Sequence, residues 1–187
     1  LSVFLLIGLL DTLHFRPALS VASVPVATPA PGAASASAAR YSSEVRSVLD
    51  VLLAPLSGDH PCGEDLSFST DFDQIADMRR EDDPTLAQGE WVTALKVADW
   101  PGVAERCQLL LGTRSKDLRL AQWLTEAWCH TDSFVGMARG LQICQALCAS
   151  YWDGLHPQPD DGDMEQRIGN VTWLLHRLAQ LMPTLPW

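Results

Sequence analysis

The sequence predicts an all-α protein, a globular bundle of roughly six to eight helices arranged as antiparallel helical hairpins. Three observations carry this. Apolar residues recur at three- and four-residue spacing through most of the chain after residue 40. Residues that start and stop helices fall between the periodic runs. No strand-like run of any length competes with them.

Residues 1–40 stand apart from this pattern. Leu1–Leu10 is apolar but shorter than the about 20 residues of a membrane-spanning helix. It has the length of a signal-peptide core, with small residues near Val24–Ala27, yet neither an initiator Met nor a positive segment precedes it. It is read as a mis-set start or a non-native extension rather than an export signal. Ser20–Ala39 is rich in Ala, Ser, Pro and Val, has almost no charge, and reads as a disordered leader or linker. The helical domain is expected over 41–187.

Its first helix is expected over Glu44–Pro55, capped by Ser43, with Val45, Val48, Leu49, Leu52 and Leu56 at helical spacing. An irregular loop, Gly58–Thr70, contains Pro61-Cys62-Gly63-Glu64-Asp65-Leu66. A short acidic helix is expected over Asp71–Asp82, with Phe72, Ile75, Ala76 and Arg79 on or beside one face, then a loop over Pro84–Glu90. Asp99-Trp100-Pro101 is a helix start, because Asp99 can cap and Pro101 stands where its missing N–H costs nothing. That helix runs to about Leu111, burying Val103, Cys107 and Leu110, and Gly112 closes it.

The central helix is expected over Ser115–Trp128, with Ser115 as cap and Asp117 in the first turn. At ~100° per residue, Leu118, Leu120, Ala121, Trp123, Leu124, Ala127 and Trp128 cover an arc of about 220°. Arg119, Gln122 and Glu126 share the narrow arc that remains. An ordinary surface helix needs an apolar stripe only a little over ~100° wide, so this one meets neighbours on two or three sides. A further helix starts at Asp132 or Ser133 and runs to about Trp152, with Phe134, Met137, Leu141, Cys144, Cys148 and Tyr151 on one face. After a loop at Leu155–Asp163, the last helix spans about Met164–Met182, started by Asp163 and burying Ile168, Val171, Leu174, Leu175, Leu178 and Met182.

The net charge of the 187 residues is −10; residues 1–40 hold Arg16, Arg40 and Asp11, a net +1, which leaves −11 for the rest. An acidic body argues against nucleic-acid binding, which runs on Lys and Arg neutralising phosphates, and against docking on anionic lipid. The five cysteines are odd in number and lack a disulfide-framework spacing, which fits free thiols in a reducing compartment.

No residue set reads as catalytic, cofactor-binding or metal-ligating. Cys62 has His60 nearby, but so short a sequence separation rarely brings an imidazole onto a thiol, and Glu64 and Asp65 would raise its pKa. Cys144 and Cys148 share a helical face, with Cys129-His130 elsewhere, without the paired spacing of a zinc site. Asp160, Asp161, Asp163 and Glu165 do not follow a calcium loop and fit helix initiation; Glu81-Asp82-Asp83 reads as a solvated helix end. A hydrolase using Cys62 or the acidic loops, and a small-ligand-binding helical bundle, are the rival readings. Trp173 falls off the apolar stripe of its helix, near Arg177 and away from Leu174 and Leu178. It either covers a neighbouring loop or anchors a partner, and it is the one candidate partner-contact residue.

One set of phrases occurs in a distinctive order: Pro55-Leu56-Ser57, Pro61-Cys62-Gly63-Glu64-Asp65-Leu66, Asp71-Phe72-Asp73, Ala98-Asp99-Trp100, Ser115-Lys116-Asp117-Leu118-Arg119-Leu120, Tyr151-Trp152-Asp153 and Leu155-His156-Pro157. In this the chain closely resembles the N-terminal domain of the TssA (ImpA-related) family of type VI secretion proteins, from Tyr41 to about Leu178. The family often has a Tyr after Asp-Leu-x, where this chain has Phe68-Ser69. The resemblance implies a helical, non-enzymatic assembly protein of the bacterial cytoplasm that helps build baseplate, sheath and tube and needs no cofactor. Its expected partners are other type VI components (baseplate, sheath, tube or membrane complex), with no nucleic acid and no membrane insertion. The family's variable C-terminal region, through which oligomers are expected to form, has no counterpart up to Trp187.

Overall fold

A buried lysine in a connecting segment ties the helices together. The structure, a computed structural model, describes residues 46–82 and 95–186. The expected leader over 1–40, the start of the first helix and the Pro84–Glu90 loop lie outside the described residues. Five helices are described: α1 over 46–53, α2 Thr70–Arg79, α3 Trp100–Thr113, α4 Leu118–Tyr151 and α5 Glu165–Leu181, followed by a 3-10 turn, Met182–Thr184. All-α holds: among the described residues only isolated β-bridges occur, with no strand. The described helices number five, or six when α4 is divided at its break at Ser133, where six to eight are expected.

Ser69 caps α2 by accepting from the Asp71 N–H, and the helix ends at Arg79, three residues before the expected end. The reason is tertiary: the Asp82 N–H donates to the Lys96 carbonyl at 2.9 Å and the Lys96 N–H to Asp82 Oδ2 at 2.8 Å, which draws the chain out of helical form. In α3 Asp99 caps through the Gly102 N–H as expected, but the helix continues through Gly112 to Thr113 rather than closing there. Its stripe of Val103, Ala104, Cys107, Leu110 and Leu111 is buried.

The segment 114–117 between α3 and α4 corrects the expected start of the central helix. Asp117, not Ser115, is the N-cap, accepting from the Arg119 N–H. Ser115, Lys116 and Asp117 are all fully buried. The Lys116 N–H donates to the Cys62 carbonyl at 2.7 Å, and its carbonyl accepts from the His156 N–H at 2.9 Å. Lys116 Nζ donates to the carbonyls of Leu52 at 2.6 Å and Leu111 at 2.7 Å. Gly63 is obligatory beside it: its φ is +71°, and a Cβ there would sit 2.0 Å from the Arg114 carbonyl oxygen.

α4 doubles back on itself. Ser133 has φ 56° and ψ −138°, a conformation rare for a residue with a side chain, and its hydroxyl donates to the Pro186 carbonyl at 2.7 Å. A Cβ on Gly140 would lie 2.4 Å from Thr125 Oγ1, whereas a straight helix would hold residues 125 and 140 roughly 22 Å apart. The arms 118–132 and 134–151 are therefore antiparallel and in close contact. The second arm buries Gly136, Gly140, Ile143 and Leu147; the expected face of Phe134, Met137, Leu141, Cys144, Cys148 and Tyr151 is only half-buried, at the edges of the two apolar clusters. The two glycines decide this, since the bare side of the helix can approach closest.

α5 also differs from expectation. Ile168, Leu175 and Met182 are exposed, and the buried stripe is Arg167, Leu174, Leu178 and Leu181. Arg167 fixes the rotation, because its guanidinium donates to the carbonyls of Pro157, Trp152 and Leu155. Asp163 accepts from the Glu165 N–H one position outside the cap.

Replacing Lys116 by Met leaves two buried carbonyls unpaired and should cost about 3 kcal/mol, read by urea unfolding. Burial also pulls the Lys116 pKa down to about 8, against the raising influence of Cys62. A folded-state pKa below the unfolded one makes the unfolded chain bind more protons, so this group adds stability as pH rises from about 8 toward the ordinary lysine value. The stability difference between wild type and Lys116→Met should widen over that range; a difference independent of pH would contradict it.

Candidate functional site

Trp173 lines an open groove of about 320 Å³ with Ala76, Arg79, Arg80, Glu126, Arg177 and Gln180. Three elements meet there. α2 supplies Ala76 and Arg79, with Arg80 just past its end; the first arm of α4 supplies Glu126; α5 supplies Trp173, Arg177 and Gln180. Trp173 is 36% exposed.

Glu126 is the floor. It shares the narrow polar arc of the helix with Gln122, and both are buried, Glu126 at 1% exposure. A buried carboxylate must be paired and hydrogen-bonded. Arg79 donates to Glu126 Oε2 from Nε at 2.8 Å and pairs through Nη2 at 2.6 Å. Arg177 Nε donates to the other oxygen, Oε1, at 2.5 Å. One carboxylate thus clips α2 and α5 to the central helix. The Arg79 guanidinium lies 5.1 Å from the ring centroids of both Trp123 and Trp173, so the indole is held by a cation that is itself fixed.

The other residues singled out in the sequence are not brought to this groove. Cys62 is buried in the 62–64 loop, where burial pushes its thiol pKa up despite the opposing pull of Lys116 and Arg167. His60 is exposed, and no hydrogen bond joins it to Cys62 among the described residues. Burial pushes Cys144 up to about 12 and raises Cys148 as well. Asp160, Asp161 and Asp163 form an exposed turn, and Glu81 and Asp82 are exposed too. No group of three or more His, Cys, Asp or Glu side chains suited to a metal ion occurs among the described residues.

Sequence reading missed Glu126 as the centre of the site and Arg79 as its partner. The available signal was a carboxylate on a helix whose apolar arc is too wide to leave it in water, and Arg177 four residues after Trp173 on the same helix.

The phrases in the distinctive order meet elsewhere, around Lys116. Gly63 pairs with Ser115 and Asp117 with His156 in isolated bridges. Asp71 is bound by Arg106 and Arg114, and the Tyr151 hydroxyl donates to the Leu53 carbonyl at 2.5 Å.

Comparison with known proteins places this arrangement among relatives. A family profile described as "ImpA, N-terminal, type VI secretion system" matches residues 53–176. The chain is 36% identical over 140 residues to the type VI secretion system component TssA1 of Pseudomonas aeruginosa, covering 73% of this chain and 40% of that protein. A solved structure from Burkholderia cenocepacia, the N-terminal domain including the conserved ImpA_N region of its type VI TssA component, matches with TM-score 0.63 and 43% identity, over 74% of this chain and 50% of that one. The chain therefore spans well under two thirds of either relative.

Replacing Glu126 by Ala leaves the partly exposed guanidinium groups of Arg79 and Arg177 without their carboxylate and should cost about 1–3 kcal/mol. Chemical unfolding measures this; a loss below about 1 kcal/mol would mean that water already satisfies Arg79 and Arg177.

Proposed function

Since this chain belongs to the ImpA N-terminal family of type VI secretion system proteins, we propose that it is a non-enzymatic scaffold module that docks on baseplate, sheath or tube components of that machine. The supporting observation is the Trp173 groove. Trp and Arg dominate the energetics of protein interfaces, chiefly where they are held in place before the partner arrives. Here an outward-facing indole is backed by Arg79, and Arg79 is locked to a buried carboxylate.

The rival readings have less behind them. A hydrolase built on Cys62 would need an accessible, low-pKa thiol, and burial drives this one the other way. A small-ligand bundle would enclose its ligand, whereas this groove is open and only about 320 Å³, at the bottom of the ~300–1,000 Å³ range of such sites. The proposed setting is the bacterial cytoplasm, where free thiols persist. No helix among the described residues is long and apolar enough to cross a membrane. Oligomerisation, in this reading, belongs to the family's C-terminal region and not to the helical domain.

The whole chain, immobilised, should retain at least one purified baseplate, sheath or tube component. Trp173→Ala should reduce that retention by about tenfold or more while changing folding stability by about 1 kcal/mol or less. Undiminished retention would remove Trp173 from the interface. A large fall in thermal stability would make it a cover for α2 instead.

A further inference from the structure

We propose that the Trp173 groove takes an acidic peptide segment of its protein partner. Carboxylates of that segment pair with Arg177 and Arg80, and a neighbouring aliphatic or aromatic side chain lies on the Trp173 indole. This rests on the docking reading and names the chemistry of what docks.

Charge is the first argument. The groove holds three arginines against one glutamate, and that glutamate is spent on Arg79 and Arg177 beneath the surface. The basin is thus positive on a chain whose net charge is −10. A local field opposite to the rest of the surface steers acidic segments to one place. Donor geometry is the second. Arg177 commits only Nε to Glu126, and its two terminal amino groups make no hydrogen bond among the described residues. Arg80 is two-thirds exposed and pairs loosely with Asp77 at 3.3 Å, while Asp77 also holds Lys96. Planar guanidinium forks match carboxylates in two-point contact. The amide of Gln180 stands on the same wall. Size is the third: about 320 Å³ admits a few side chains of a bound segment. A nucleic acid would meet the acidic remainder of the surface, which its phosphates would be repelled by.

The test selects a phage-displayed random dodecapeptide library on the immobilised whole chain, then measures the enriched peptides by fluorescence anisotropy. The expected result is enrichment of Asp or Glu beside Leu, Phe or Trp. Affinity should fall by about tenfold in Gln180→Glu, which puts a like charge on the groove wall without touching the Glu126 clip, and again in Arg80→Gln. It should also weaken as salt is raised. Enrichment of neutral or basic sequences, or acidic peptides that bind Gln180→Glu unchanged, would overturn the proposal. So would a labelled oligothymidine that binds wild type but not Gln180→Glu. If a secretion component is still retained by Gln180→Glu with full affinity, the acidic-segment inference fails and the docking reading stands. If wild type retains no component, the docking reading fails whatever the peptides show.

Discussion

The structure depends on the requirement that a buried polar group find partners. Lys116 has no exposed surface, and every polar atom it carries is used. Its ammonium reaches the ends of α1 and α3, its N–H the 62–64 loop, and its carbonyl the turn at His156. Four segments, three of them 40 or more residues away in sequence, are thereby fixed by one residue in a connection, a place where a chain of this size would ordinarily be wet. The cost of leaving those groups unpaired is what makes the arrangement specific. Arg167 repeats the device at the start of α5, with three carbonyls for one guanidinium.

The same rule generates the groove. Glu126 is buried because α4 is surrounded, and a buried carboxylate draws in Arg79 and Arg177 from the flanking helices. Their spare hydrogen-bonding capacity and the Trp173 ring then face outward. Fold and groove share one cause: charge enclosed by an apolar arc too wide to leave it in water. The phrases that carry the family resemblance lie mostly at the Lys116 knot rather than at the groove. The resemblance therefore speaks to how the domain is held together, and the groove has to be argued from its own geometry.

Much of the fold was legible in the sequence because it follows local rules. Asp99 capping, the wide apolar arc of 118–128 and a break at Ser133 are read from spacing and residue chemistry. What was not legible depends on distant partners. A helical wheel places Glu126 on the narrow polar arc but cannot see the arginines 47 and 51 residues away that pair with it there. It cannot choose between the two apolar stripes of α5, one through Leu174 and Leu178 and one through Ile168 and Leu175, until Arg167 finds its carbonyls. Nor can it tell that Gly136 and Gly140, blank to a hydropathy pattern, mark the side that packs closest against Trp128 and Thr125. At the candidate site Trp173 stood out as an aromatic off its own stripe; the clip that holds it did not.

Native-state hydrogen exchange tests the central claim most directly. The amides of Lys116, Leu118 and His156 lie in or beside connecting segments, which ordinarily open by local fluctuation. If the enclosed lysine organises the domain, these amides exchange only through global unfolding, with the same opening free energy as Leu124 in the middle of the central helix. Exchange at the rates of ordinary loops, while Leu124 stays protected, would contradict the account.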